Sequence, residues 1–159
     1  MRRLHTRLAP MLALALLACG GPAEAPAPGL APALTIERFL QAANAVSQMR
    51  AQGSNAQRMA QEVETMARLF GTEQGPIIDL YPRSEVDQRM LILADLLRHT
   101  DYRLGAERAV PGRGGNAIEV LVEMTTAARP RQVRVPFIVV RRGDVWLIER
   151  IDLEPITTS

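Results

Sequence analysis

The sequence predicts an α+β fold in which two to three N-terminal helices pack on a curved four-stranded antiparallel sheet, and three observations lead there. The stretch Gln132 to Glu154 reads as two antiparallel strands joined at Arg142-Gly143-Asp144, with Val133, Val135, Phe137 and Val139 on one face. Just before it, Ile118, Val120, Val122 and Met124 alternate with Glu119, Leu121 and Glu123, the clearest period-two run in the chain. Ahead of both, apolar residues recur at three-and-four spacing in separate blocks, as helices require. Helices grouped before strands, and not alternating with them, belong on one face of the sheet.

Length and charge set the bounds. The 159 residues suffice for one domain with a real core, expected over 35–159. The formal charge of +2 reflects placement: Arg2, Arg3 and Arg7 lie at the start, and without them 16 of the 19 basic residues face 17 acidic ones. A near-neutral domain gives no electrostatic case for a nucleic-acid partner.

Residues 1–18 have the form of an export signal, with basic residues ahead of an apolar run from Met11 to Ala18. The run falls well short of the roughly 20 residues a spanning helix needs. Its end, Leu16-Leu17-Ala18-Cys19, resembles the bacterial lipobox, which implies cleavage between Ala18 and Cys19 and acylation of Cys19. Cys19 is the only cysteine, so no internal disulfide can form, and a free exported thiol would be reactive. Lipidation answers both points. Each buried methylene adds about 0.8 kcal/mol of membrane affinity, so two or three acyl chains hold a protein at the membrane. Gly20 follows the cysteine where an aspartate would resemble an inner-membrane retention signal. The expected location is therefore the cell envelope, at the periplasmic face of the outer membrane. Residues 19–34, rich in Pro and Ala, read as an extended tether.

The helices follow. Thr35 is the expected N-cap of a first helix bearing Ile36, Phe39, Leu40, Ala43 and Val46 on one face and ending near Gly53. Ser54 to Gln57 has the form of a capping box for a second helix, with Met59, Val63, Met66 and Phe70 in register and Gly71 as its left-handed terminator. Ile77 to Tyr81 reads as a short strand between prolines. Ser84 is the expected cap of a third helix with Val86, Met90, Leu93, Ala94 and Leu97 inward, stopping near His99; the apolar run Met90 to Leu93 predicts cover on more than one side. Strands are then expected from Tyr102 to Val110, around Val120, and through the final hairpin, with turns at Pro111 to Asn116 and Ala128 to Arg131. Pro136 requires an edge position or a bulge.

Few residues carry chemistry. After signal removal His99 is the sole histidine, so a zinc site of the usual ligands is not expected, and no cofactor is. His99 beside Asp101 could form part of a triad, but a cation near a helix C-terminus is the simpler reading. Gly112 to Gly115 lacks the Lys-Ser or Lys-Thr of a phosphate loop and is a hairpin turn. Arg129, Arg131, Arg134, Arg141, Arg142 and Arg150 cluster in the strands, yet Glu119, Glu123, Asp144, Glu149 and Asp152 are interleaved and would neutralise much of their field.

Taken together, Leu69-Phe70-Gly71 after amphipathic helices, the third helix, and the closing strands Val135 to Val140 and Trp146-Leu147-Ile148 resemble the nuclear transport factor two-like (ketosteroid-isomerase-like) superfamily over roughly 34–153. The resemblance implies a cone of sheet and helices around a pocket. On that footing Phe39, Met66, Tyr81, Leu97, Phe137 and Trp146 are the candidates to line a cavity for a small apolar ligand, or the domain binds another envelope component without catalysis. An isomerase or cyclase would require a buried carboxylate beside a tyrosine. Asp79, Tyr81, Asp95 and Tyr102 are available, but none matches that family's catalytic pattern. A third reading is association through the sheet, as in a homodimer, which would expose Ile138 and Val140 on the face opposite Phe137.

Overall fold

A computed structural model describes residues 31–53, 55–127 and 131–158. Helices α1 (Pro32–Gln52) and α2 (Ala56–Leu69) lead into a two-stranded ribbon, β1 (Gly71–Thr72) and β2 (Gly75–Pro76), and a single turn α3 (Ile77–Leu80). Helix α4 (Arg83–Leu96) then precedes strands β3 (His99–Ala109), β4 (Ala117–Thr126), β5 (Gln132–Arg142) and β6 (Val145–Ile151), and the turn α5 (Glu154–Thr157). The four long strands form one antiparallel sheet in the order β3-β4-β5-β6. The expected α+β architecture, helices first and then a four-stranded sheet, is the one observed.

Helix boundaries differ from the sequence reading in instructive ways. Helix α1 starts at Pro32, not behind Thr35, because proline has a suitable φ and lacks only an amide that the first turn leaves unpaired anyway. Thr35 lies buried inside the helix, and its hydroxyl donates to the Ala31 carbonyl at 3.2 Å. Helix α1 thus begins inside the stretch 19–34 that was expected to be a tether. Gly53 closes α1 at φ 63, as expected. The N-cap of α2 is Asn55, whose side chain accepts from the Arg58 amide at 3.1 Å; Ser54, the expected cap, lies outside the described residues. Asn55 sits at φ 52, a conformation asparagine tolerates better than most residues.

Gly71 does not end α2 in the left-handed region; Phe70 does so in an extended conformation. Its lack of a side chain matters for a different reason. A Cβ there would collide with the Gly75 carbonyl oxygen and stand 2.8 Å from Pro76 Cα, so only glycine lets the ribbon close. Ile77 to Leu80 coil into one helical turn instead of a strand, since Pro76 sets its entry and Pro82 stops it. Helix α4 likewise starts with Pro82, not Ser84, at its N-cap. Val86, Met90, Ala94 and Leu97 are buried, but Ile92 is 53% exposed, so the run Met90 to Leu93 is covered on one side only.

The sheet bears out the alternation. Val120, Val122, Met124, Val133, Val135, Phe137, Val139 and Ile148 share one buried cluster with Ile36, Phe39, Leu40, Val46, Met66 and Met90 of the helices. Strand β3 begins at His99, three residues before the expected start at Tyr102. Bulges interrupt its pairing with β4 between His99 and Asp101 and between Leu104 and Glu107. At the second, a Cβ on Gly105 would meet the Leu121 carbonyl at 2.8 Å. Strand β5 is internal, but Pro136 sits where β6 has ended: the last β5–β6 pair is Phe137 with Ile151, and Asp152 N–H donates to Pro136 O at 2.9 Å. A residue's N–H and C=O point to the same side of a strand, so the amide that proline lacks faces past β6 and no β4–β5 bond is lost. A bulge between Ile138 and Val139 follows. The turn expected at Ala128 to Arg131 falls mostly outside the described residues.

Candidate functional site

The interior is packed with the residues expected to line a cavity. Phe39, Met66, Leu97 and Phe137 are each 0% exposed and belong to one contiguous core. Phe39 also packs against Phe70, their ring centroids 6.0 Å apart. Trp146 is half-buried against the same core, whereas Tyr81 stands outside it, 49% exposed. The fold therefore brings five of the six together as packing, and helices and sheet meet there side chain to side chain. No Asp or Glu is buried among the described residues, and Asp79 and Asp95 are exposed. On the opposite sheet face, Val140 is not offered to solvent: it is buried with Ala117 and Leu147, and Val110 and Ile138 pack on them. Arg141 N–H donates to Asn116 O at 2.8 Å, which extends the β4–β5 pairing one residue beyond Ala117 and Val140.

An open depression lies between α1 and the start of β3. Gln41, Asn44, Ala45 and Gln48 form one wall and His99, Thr100, Asp101 and Tyr102 the other, around an open volume of about 360 Å³. Spacings of three and four along α1 put the three amides in a row opposite the helix's buried face. On β3, alternation would send consecutive residues to opposite faces; the bulge between His99 and Asp101 lets four in succession reach one groove.

His99 is 8% exposed, and its ring meets Tyr102 edge-on at 5.1 Å. Its Nδ1–H donates to the Leu97 carbonyl at 2.8 Å, which satisfies an acceptor at the end of α4. His99 thus meets the helix C-terminus as expected, but from the first position of the strand that follows. His99 is one of the residues that line this groove.

A smaller cleft of about 120 Å³ runs between Phe70, Ile77, Leu80, Tyr81 and Arg89, with Glu149 at its edge. The Arg89 guanidinium lies 5.2 Å from the Tyr81 ring centre. Beside it, Arg113 of the glycine-rich turn bonds Glu149 through two nitrogens at 3.1 Å and Glu73 at 3.2 Å, joining turn, ribbon and β6. The interleaving is realised only in part: Arg134 pairs with Glu123 and Arg141 with Asp144, whereas Arg131, Arg142 and Arg150 form no ion pair among the described residues. Glu123 on β4 sits between Arg103 of β3 at 2.6 Å and Arg134 of β5 at 3.2 Å. The hydrogen bond from Arg103 and the two positive charges hold the Glu123 carboxyl below its usual range, despite partial desolvation.

Reasoning from sequence found His99, Asp101 and Tyr102 but not Gln41, Asn44, Gln48 or Thr100. The polar stripe on α1 was available as a signal, three amides at positions i, i+3 and i+7. Cys19 and Ala18 lie outside the described residues. No described helix is long and apolar enough to cross a membrane. No protein-family model, curated protein or solved structure matches the chain.

Proposed function

We propose that the protein is a lipid-anchored lipoprotein of the bacterial cell envelope that acts without catalysis, its domain binding another envelope component at its surface. The observation that carries the reading is the only cysteine, placed at the end of an export signal and followed by a Pro/Ala-rich tether. A core occupied by Phe39, Met66, Leu97 and Phe137 favours surface association over an apolar ligand held inside. Helices followed by a four-stranded antiparallel sheet support the resemblance to the nuclear transport factor two-like superfamily, whose members use the domain for association as well as for catalysis.

The test is acylation and location of the full chain in a bacterial host. Wild type is expected to incorporate radiolabelled palmitate and to fractionate with outer membranes. Cys19→Ser should incorporate none and stay unprocessed or soluble. Equal labelling of both proteins, or recovery of wild type as a soluble cleaved chain, would overturn the anchoring.

A further inference from the structure

We infer that the groove between α1 and β3 is a binding site for a neutral saccharide chain. Its lining is rich in groups that both donate and accept. Gln41, Asn44 and Gln48 supply amides, Tyr102 a phenol, Asp101 a carboxylate and His99 an imidazole. Sugar hydroxyls and acetamido groups also donate and accept at once, so this mixture suits them. The amides, Asp101 and the Tyr102 hydroxyl make no hydrogen bond to any described residue. Among the described residues no Arg lines the groove, which gives phosphate or another anion no charge partner there. Its polar walls disfavour a lipid chain. At about 360 Å³ the volume falls at the small end of the range for ligand sites, enough for a short stretch of a chain that continues along an open groove.

An extended peptide pairing with the outer edge of β3 is the main competitor, and the strand argues against it. The bulge between Leu104 and Glu107 breaks the edge, and Asp101, Arg103, Glu107 and Arg108 place charges along it, both devices that discourage an added strand. The inference deepens the proposed function by naming the component, and it rests on that reading only for the source of the glycan, the cell wall that an anchored protein faces.

The test is calorimetric titration of the purified full-length protein in detergent with a soluble β-1,4-linked tetramer of N-acetylglucosamine, followed by co-sedimentation with isolated cell-wall sacculi. Saturable binding is expected, with affinity at least tenfold weaker in the Asn44→Ala/Gln48→Ala and Asp101→Ala variants, and sedimentation reversed by the free tetramer. These side chains are partly or fully exposed, so circular dichroism should report unchanged folding. Leu80→Ala, in the other cleft, should bind as wild type does. Absence of binding at millimolar tetramer, equal binding by the groove variants, or preferential binding of an extended peptide would each overturn the inference. Cys19→Ser separates the two readings: it should lose the membrane but keep the sugar, and a palmitoylated wild type that binds no sugar would sink the groove alone.

Discussion

Replacing Phe137 with alanine tests whether the interior is packing or an empty receptor. Phe137 lies on β5 between Val120 of β4 and Ile151 of β6, and none of it reaches solvent. A buried aromatic removes about 150 Å² or more from water, and at about 25 cal/mol per Å² that is worth close to 4 kcal/mol. Alanine recovers little of this, and a partly relaxed cavity adds its own cost, so the expected loss is about 3–5 kcal/mol. With a urea slope of about 1–3 kcal/mol per molar, the unfolding midpoint should fall by roughly 1–5 M at nearly constant slope. Phe137→Leu, which keeps most of the volume, should lose less than about 1.5 kcal/mol. The assay is urea unfolding followed by circular dichroism, with an apolar dye titrated into each folded protein. Wild type should bind no dye, and the alanine variant should gain a site if its cavity stays open. A loss below about 1.5 kcal/mol for Phe137→Ala, together with dye binding by wild type, would refute a packed interior and restore the cavity reading.

Two further perturbations follow from the same geometry. Gly71→Ala sets a methyl against the backbone of Gly75 and Pro76, so the ribbon must open, and it should destabilise by about 1–3 kcal/mol, more than Gly53→Ala, where the added Cβ meets nothing and only the left-handed φ is strained. Urea midpoints in the reverse order would show that the close approach is unimportant. The lowered carboxyls of Glu123 and of Glu64, the latter held down first by its hydrogen bond from Arg68, make stability fall with acid. A carboxylate whose native pKa is depressed contributes fully above its unfolded value of about 4.3, and that contribution disappears as pH drops through the native value. Thermal melts from pH 6 down to pH 3 should therefore show a shallower decline for Glu123→Gln than for wild type, with Arg103→Ala intermediate because Arg134 remains; an identical slope would deny Glu123 that role.

The order of elements was legible because burial imposed a period on each of them. Val133 to Val139 and Val120 to Met124 alternate for one reason: one sheet face meets the helices. Boundaries were harder to read wherever proline could act in two ways. Pro32 looked like the end of a tether and instead begins α1, and Pro76 and Pro82 enclose a helical turn whose residues have strand-like composition. Gly71 was recognised as necessary but assigned the wrong necessity, since its neighbour across the ribbon is set by tertiary approach that no local spacing encodes. Five of the six side chains proposed for a pocket do converge, Tyr81 being the exception; whether such residues surround a space or fill it depends on how closely helices and sheet approach, and composition is silent on that. The groove was half legible, because its β3 wall depends on a bulge that shows four consecutive side chains to one place.

The covering of β6 has a consequence for how copies of this domain can meet. Phe70 lies alongside Ile148 on the outer edge of β6, and the short ribbon packs there as well, whereas β3 has no neighbouring strand on its outer side among the described residues. The bulge after Leu104 and the charges of Asp101, Arg103, Glu107 and Arg108 discourage an added strand on that margin as well. One edge of the sheet is covered and the other is broken and charged, so neither favours sheet-to-sheet growth from one copy to the next.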